Sequence, residues 1–382
     1  MKSHPINPRR IEALVAQIAG EDFHAKRVLS VTNAVVGVIH AAALSIHAIG
    51  HGLAQAMGLS SKHAIKQVDR LLSNGALDVW SWFGRWVPHI VAQRSTIVVA
   101  MDWTEFDSDD HATIAINMIT THGRATPLLW KTVKKSQLKG QRNNHEDALL
   151  VRLHEVLPKG CKVTILADRG FGDQKLYAFC DKLGFDYIIR FRGGVHVESE
   201  DGESQSATEW VPQNGRTKVL RNALVTAGRY PVGAVVCIKA RGMKEAWHLA
   251  CSRAEIASTA VKLYARRFTI EETFRDQKDA RYGVGLSATH ISDPKRRDRL
   301  LLMFALAMLL ITLLGAAGES LGMERLMKAN TAKARSYSLF RQGCHYYGAI
   351  PQMKQERLEP LIARFGEYVR QQPFYTDVFG LL

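Results

Sequence analysis

Apolar positions recur with a helical period over roughly the first 90 residues, in IEALVAQIAG, TNAVVGVIHAAALSIHAIGHGLAQAMG and SSKHAIKQVDRLLSN. In the last segment Ser60 or Ser61 is placed to cap the helix. Lys62, Lys66 and Arg70 fall every fourth residue and share one face, while Ile65, Val68 and Leu72 fall on another. Near residue 95 the pattern changes. STIVVAMDWT, TIAINMIT and TPLLWKTV are three β-rich runs parted by polar segments, which predicts an antiparallel meander. After a polar loop, HEDALLVRLHEVLP reads as a helix. CKVTILADRG is a continuous apolar run ending on Asp168, the pattern of a strand buried on both faces. DQKLYAFCDKLG predicts another helix and FDYIIRFR another strand. Residues 192–254 carry short strand-like runs rich in Gly, Val and Thr, read as a β subdomain inserted into the main fold. From residue 258 the chain is helical almost to its end.

Two late stretches need a closer reading. LLLMFALAMLLITLLGAAG, residues 300–318, is long enough to span a bilayer. It stands alone, has no aromatic belt and is flanked by KRRDR, so a buried central helix or a subunit contact is preferred. No membrane partner is expected. YARRFTIEETFRDQK, residues 264–278, reads as a helix with polar residues where a core stripe would run. At about 100° per residue, Tyr264, Arg267, Glu271 and Lys278 fall within an arc of roughly 60°. Glu272 points about 100° away from that stripe. By itself the stripe reads as a solvated face with i,i+4 ion pairs.

Charge changes the picture. Among 382 residues, Lys+Arg 51 against Asp+Glu 36 gives a net +15, while 46% hydrophobic and 23% charged residues are ordinary for a folded chain of two or three domains. Such an excess favours a polyanionic partner, since neutralising phosphates releases counterions. The Lys62, Lys66 and Arg70 face then reads either as a surface lying along DNA or as a plain amphipathic helix. Five scattered cysteines form no CxxC pair; they argue against a disulfide framework or a zinc site and fit a reducing cytoplasm. MKSHPINPRRIEALVAQ lacks the apolar core of a signal peptide.

Asp102 ends the apolar run STIVVAM, and Asp168 ends CKVTILA. A carboxylate terminating a buried strand is costly unless it is paired, hydrogen-bonded or holding a cation. Two of them on one sheet, with a Glu on a later helix, make a hard, oxygen-only site suited to Mg²⁺ or Mn²⁺. Phosphodiester transfer is the chemistry that uses such a site. Three strands, helix, strand, helix, strand, insertion and helix is also the element order of a ribonuclease-H-like core.

The spacing Y-x2-R-x3-E-x6-K, here Tyr264, Arg267, Glu271 and Lys278, resembles the signature of the DDE transposases of bacterial insertion sequences, specifically the cut-and-paste group named for insertion sequence four. The resemblance runs from about residue 95 to 310, with both Asp residues upstream in the matching order. It implies an α/β fold with a ribonuclease-H-like core. It also implies that Asp102, Asp168 and Glu271 are the catalytic triad holding two Mg²⁺ ions, with Mn²⁺ able to substitute. Tyr264, Arg267 and Lys278 would hold phosphates of the element end, and Arg190 would contact the DNA backbone. Trp247 would stack on a flipped base; read from its surroundings alone, it is equally a core aromatic of the β subdomain. Phe268 stands where some relatives have Trp, keeping a stacking face but losing the indole N–H.

The implied organisation is a helical DNA-binding region at 1–92, the ribonuclease-H-like core at 93–191 and 255–315, the β insertion at 192–254, and a helical C-terminal region at 316–382 suited to subunit contact. The implied activity is binding of terminal inverted repeats in double-stranded DNA, excision through a hairpin, and joining of 3′-OH ends to target DNA. A homodimer in a synaptic complex would carry this out in the bacterial nucleoid. The alternatives are a structure-specific nuclease on the same core and a DNA-binding-only repressor of the element. The second has no need to concentrate carboxylates facing phosphate.

Overall fold

The computed structural model describes residues 8–21, 23–281, 283–371 and 374–380. Five helices lead: α1 (Pro8–Ala19), α2 (Ala25–Ala41), α3 (Ile46–Met57), α4 (Ser61–Ser73) and α5 (Val79–Val91). Ser60 caps α4, its hydroxyl accepting from the His63 N–H. Val68, Leu71 and Leu72 of α4 are buried while Lys62, Lys66 and Arg70 are exposed, as their spacing predicts.

The sheet follows, with β1 (Thr96–Phe106), β2 (His111–Met118) and β3 (Thr126–Lys134), then α6 (Arg142–Val156), β4 (Lys162–Ala167), α7 (Gln174–Leu183) and β5 (Asp186–Arg190). β1, β2 and β3 pair antiparallel, the expected meander. β4 joins β1 in parallel and β5 joins β4 in parallel, with α7 making the crossover that parallel neighbours require. Five further strands continue the same sheet: β6 (His196–Glu198), β7 (Ser204–Ser206), β8 (Lys218–Val225), β9 (Tyr230–Ile238) and β10 (Trp247–Cys251). β10 lies antiparallel on β5, so the order is β3-β2-β1-β4-β5-β10-β9-β8-β6-β7. The mixed α/β arrangement is compatible with a ribonuclease-H-like core.

The stretch 264–278 is not one continuous α-helix. It comprises the end of α8 (Ala257–Ala265), a 3₁₀ turn (Arg266–Phe268) and α9 (Thr269–Lys278). The Thr269 hydroxyl donates to the Arg266 carbonyl within the tight turn. Because residues i and i+3 eclipse in a 3₁₀ turn, Arg267 is brought over Tyr264, its guanidinium 5.8 Å from the ring. α9 is tied to the β2–β3 connection: Arg124 pairs with Asp276 at 2.6 Å and the Thr273 hydroxyl donates to the Ala125 carbonyl.

Helices α10 (Pro294–Ser320), α11 (Leu339–Ala349), α12 (Gln355–Arg370) and α13 (Phe374–Phe379) close the chain. The apolar run of α10 is wholly buried within the protein, so it serves as a core helix. Two arginines of its charged flank are buried as well. Arg297 is fully buried, pairs with Asp109 and lies over the Phe106 ring at 3.9 Å. Arg299 donates to the carbonyls of Leu72 in the last turn of α4 and Leu77 just beyond it. The KRRDR segment thus pins α10 to the β1–β2 hairpin and the N-terminal helices.

Candidate active site

Strand register places the two Asp residues. Met101 of β1 is paired with Ala167 of β4 in the parallel ladder. Asp102 and Asp168 are each the next residue, at one level on strands about 4.8 Å apart, and so project from the same face. Ala167 is in turn paired with Ile189 of β5, which brings Arg190 to the same level one strand further on. Val98 to Met101 are almost wholly buried, and Asp102 follows them within β1 at the edge of the core, before the buried Thr104 and Phe106. Trp103 projects to the other face, where its indole N–H donates to Glu146 Oε1 at 2.8 Å. That contact fixes the pleat immediately beside Asp102.

Arg267 spans the gap between sheet and helix. Its guanidinium is almost fully buried, with Nη1 donating to Asp102 Oδ2 at 3.1 Å and Nη2 to Glu271 Oε1 at 2.6 Å. Burial pushes the Asp102 carboxyl up to about 6; Arg267 opposes the rise, while the charges of Asp168 and Glu271 add to it. Burial acts against the charge on Arg267, yet Tyr264, Asp102, Glu271 and Asp168 hold its pKa above the usual arginine value. The fields of the three carboxylates therefore converge, although Asp168 turns its Oδ1 to the Gly170 N–H at 2.7 Å.

Among the described residues, no three His, Cys, Asp or Glu side chains are grouped closely enough to form a metal cage. The donor set nevertheless fits a hard divalent cation. It is all carboxylate oxygen, and burial disfavours the charge on Asp102, a cost that a bound cation would relieve.

Asp102, Glu271 and Lys278 line one groove of ≈ 660 Å³ together with Thr104, Phe274 and Arg275. Lys278 Nζ donates to the Glu105 carbonyl at 2.8 Å and the Thr104 hydroxyl at 3.3 Å, and burial lowers its pKa. Tyr264 is buried beneath Trp247, ring centroids 4.9 Å apart, with burial raising its hydroxyl to about 12. It faces Arg267 and Trp247 instead of open groove. Phe268 is 42% exposed and lies 6.2 Å from Trp247, with the Arg267 guanidinium 4.8 Å from its ring. Glu272, outside the stripe, pairs with Arg275 at 3.0 Å and lies 3.9 Å from Arg124 on the surface.

Arg190 donates to Glu245 and to the Ala246 carbonyl at the rim of a second groove. Lys62, Lys66 and Arg70 lie on α4, and Arg70 lines a separate shallow depression with His24, Lys26 and Arg27. The AKR segment opening α2, which supplies those last two cations, was not singled out from the sequence. Arg169 and Glu245 also line that second groove, and in the sequence only the adjacency of Arg169 to Asp168 in ADRG points to either.

A search of curated proteins returns no match to this chain. The family model described as "Transposase DDE domain" matches residues 96–310, which is more than half the chain and takes in Asp102 within β1, Asp168 just after β4, Glu271 and Lys278. With that span covered, the chain belongs to the transposase DDE domain family.

Proposed function

We propose that this transposase belongs to the cut-and-paste group named for insertion sequence four and acts at the terminal inverted repeats of its own element. The observation that carries the reading is the level placement of Asp102 and Asp168 on neighbouring strands, with Glu271 joined to Asp102 through Arg267. Asp102, Asp168 and Glu271 would hold two Mg²⁺ ions, with Mn²⁺ as a substitute. When bound, these ions activate the attacking oxygen and take up charge on the leaving one.

The chain's own residues do the rest. Arg267 exchanges its carboxylate partners for a DNA phosphate, to which its planar fork is suited. Lys278, at the end of the groove beside Asp102 and Glu271, holds a neighbouring phosphate. Trp247 and Phe268 present aromatic faces beside Arg267 for an unstacked base, a contact worth about 1–3 kcal/mol. Tyr264 backs Trp247 and Arg267 from below. Arg190 and the α4 face with Lys62, Lys66 and Arg70 follow the duplex away from the cut. Water opens the first strand, the freed 3′-OH attacks the opposite strand to form a hairpin, and after hairpin opening the 3′-OH joins target DNA. A homodimer pairs the two ends in the nucleoid. The helical region 1–92 serves as the DNA-binding part, 192–254 forms the β insertion that carries Trp247, and 316–382 contributes subunit contact.

The test uses the duplex flanking the coding region as the source of ends. Asp102→Ala, Asp168→Ala and Glu271→Ala each abolish cleavage while end-binding stays largely intact. Normal cutting by any one of them refutes the site assignment. Joined product in the presence of a target plasmid separates a transposase from a nuclease that only cuts.

A further inference from the structure

Beside Asp168 lies a second groove, of ≈ 1050 Å³, between the end of β5 and the loop joining β9 to β10. Five cations line it, Arg169, Arg190, Arg192, Lys239 and Arg241, against two acids, Glu209 and Glu245. A groove with this charge is suited to a phosphodiester backbone.

One acid stands in the way. Glu245 Oε2 accepts from Arg169 Nη1 at 3.0 Å and from Arg190 Nη2 at 2.8 Å, so a single carboxylate oxygen engages both arginines nearest Asp168. Glu245 and Arg169 are half-exposed and Arg190 is largely covered. The other acid, Glu209, spends its carboxylate on the Ser206 N–H and hydroxyl and reaches neither arginine in that way.

We infer that Glu245 is an autoinhibitory carboxylate of this groove, which occupies Arg169 and Arg190 so that a backbone phosphate must displace it to reach either. The inference rests on the reading that this face of the protein holds DNA. Non-specific binding depends almost wholly on phosphate neutralisation, so a carboxylate that removes two arginines from that pool lowers the affinity for random duplex. Ion pairs at this exposure are weak, which lets a well-placed phosphate displace the carboxylate.

The experiment measures binding of the full chain to a random-sequence duplex over a salt series, for the wild type, Glu245→Gln and Glu209→Gln. Glu245→Gln binds up to about fivefold tighter per freed ion pair. Its plot of log K against log salt steepens by about 0.9 for each arginine that gains a phosphate. Adding Arg169→Gln to Glu245→Gln removes part of the gain, and Glu209→Gln moves neither quantity comparably. Equal shifts for Glu209→Gln and Glu245→Gln mean a general surface-charge effect and overturn the inference. So does wild-type binding with an unchanged Glu245→Gln slope. A wild type that binds no duplex at low salt overturns the transposase reading itself.

Discussion

Replacing Arg267 by Gln tests whether its guanidinium is what keeps Asp102 charged. Folding raises the Asp102 pKa from 3.8 to about 6, so between those values the folded chain binds more protons than the unfolded one. Stability therefore falls as pH rises through that window, and the penalty, about 3 kcal/mol, is complete above about pH 6. Arg267 lies 3.1 Å from the carboxylate and holds the rise in check. An opposite charge at such range shifts a carboxyl by about 1–3 units. Without it the upper edge of the window moves toward about pH 7–9, adding about 1.4–2.7 kcal/mol to the penalty at pH 8 and none near pH 5. The lost hydrogen bonds to Asp102 and Glu271 add a component that does not depend on pH in this range. Urea unfolding of both proteins in EDTA, from about pH 5 to pH 8, reads the difference directly. A gap between Arg267→Gln and wild type that stays constant across the series would refute the electrostatic reasoning and leave only packing.

Three further outcomes are expected. A Cβ on Gly343 of α11 would stand 1.9 Å from the Ile311 carbonyl of α10, so Gly343→Ala forces the helices apart and lowers stability by about 2–3 kcal/mol; an unchanged thermal midpoint would contradict that close approach. Burial holds His89 down to about 4 and His122 down to about 3, so the unfolded chain gains their protons first and stability falls as pH drops from about 6.5. His122→Asn should flatten that fall by about 1.4 kcal/mol per pH unit near pH 5, measured by denaturant unfolding. Trp247→Ala should retain the first nick and lose hairpin yield on denaturing gels, and an unchanged yield would remove Trp247 from the site.

Much of the catalytic sheet was legible because its signals are local. The apolar run that stops at Asp168 reports a strand leaving the core, whatever it later pairs with; the run before Asp102 marks only the first, fully buried part of β1, which continues to Phe106. The period of α4 likewise separates Lys62, Lys66 and Arg70 from Val68 and Leu72 without knowledge of its neighbours. The stripe in YARRFTIEETFRDQK was legible as a spacing but not as a geometry. Its 3₁₀ turn and the burial of Tyr264 and Arg267 arise from packing against β1 and β10, which no i,i+4 rule contains.

By itself, then, the sequence determined element types, the faces of the helices and the residue types available for phosphate chemistry. All of these follow from side-chain period and from the cost of burying polar groups within a short window. Only the tertiary structure decided which charges meet. Arg267 reaches Asp102 from 165 residues away, Arg297 reaches Asp109 from 188, and Glu245 reaches Arg169 and Arg190 from 76 and 55. Those pairings depend on strand register and on β10 closing against β5, and long-range register is set by the folded sheet as a whole.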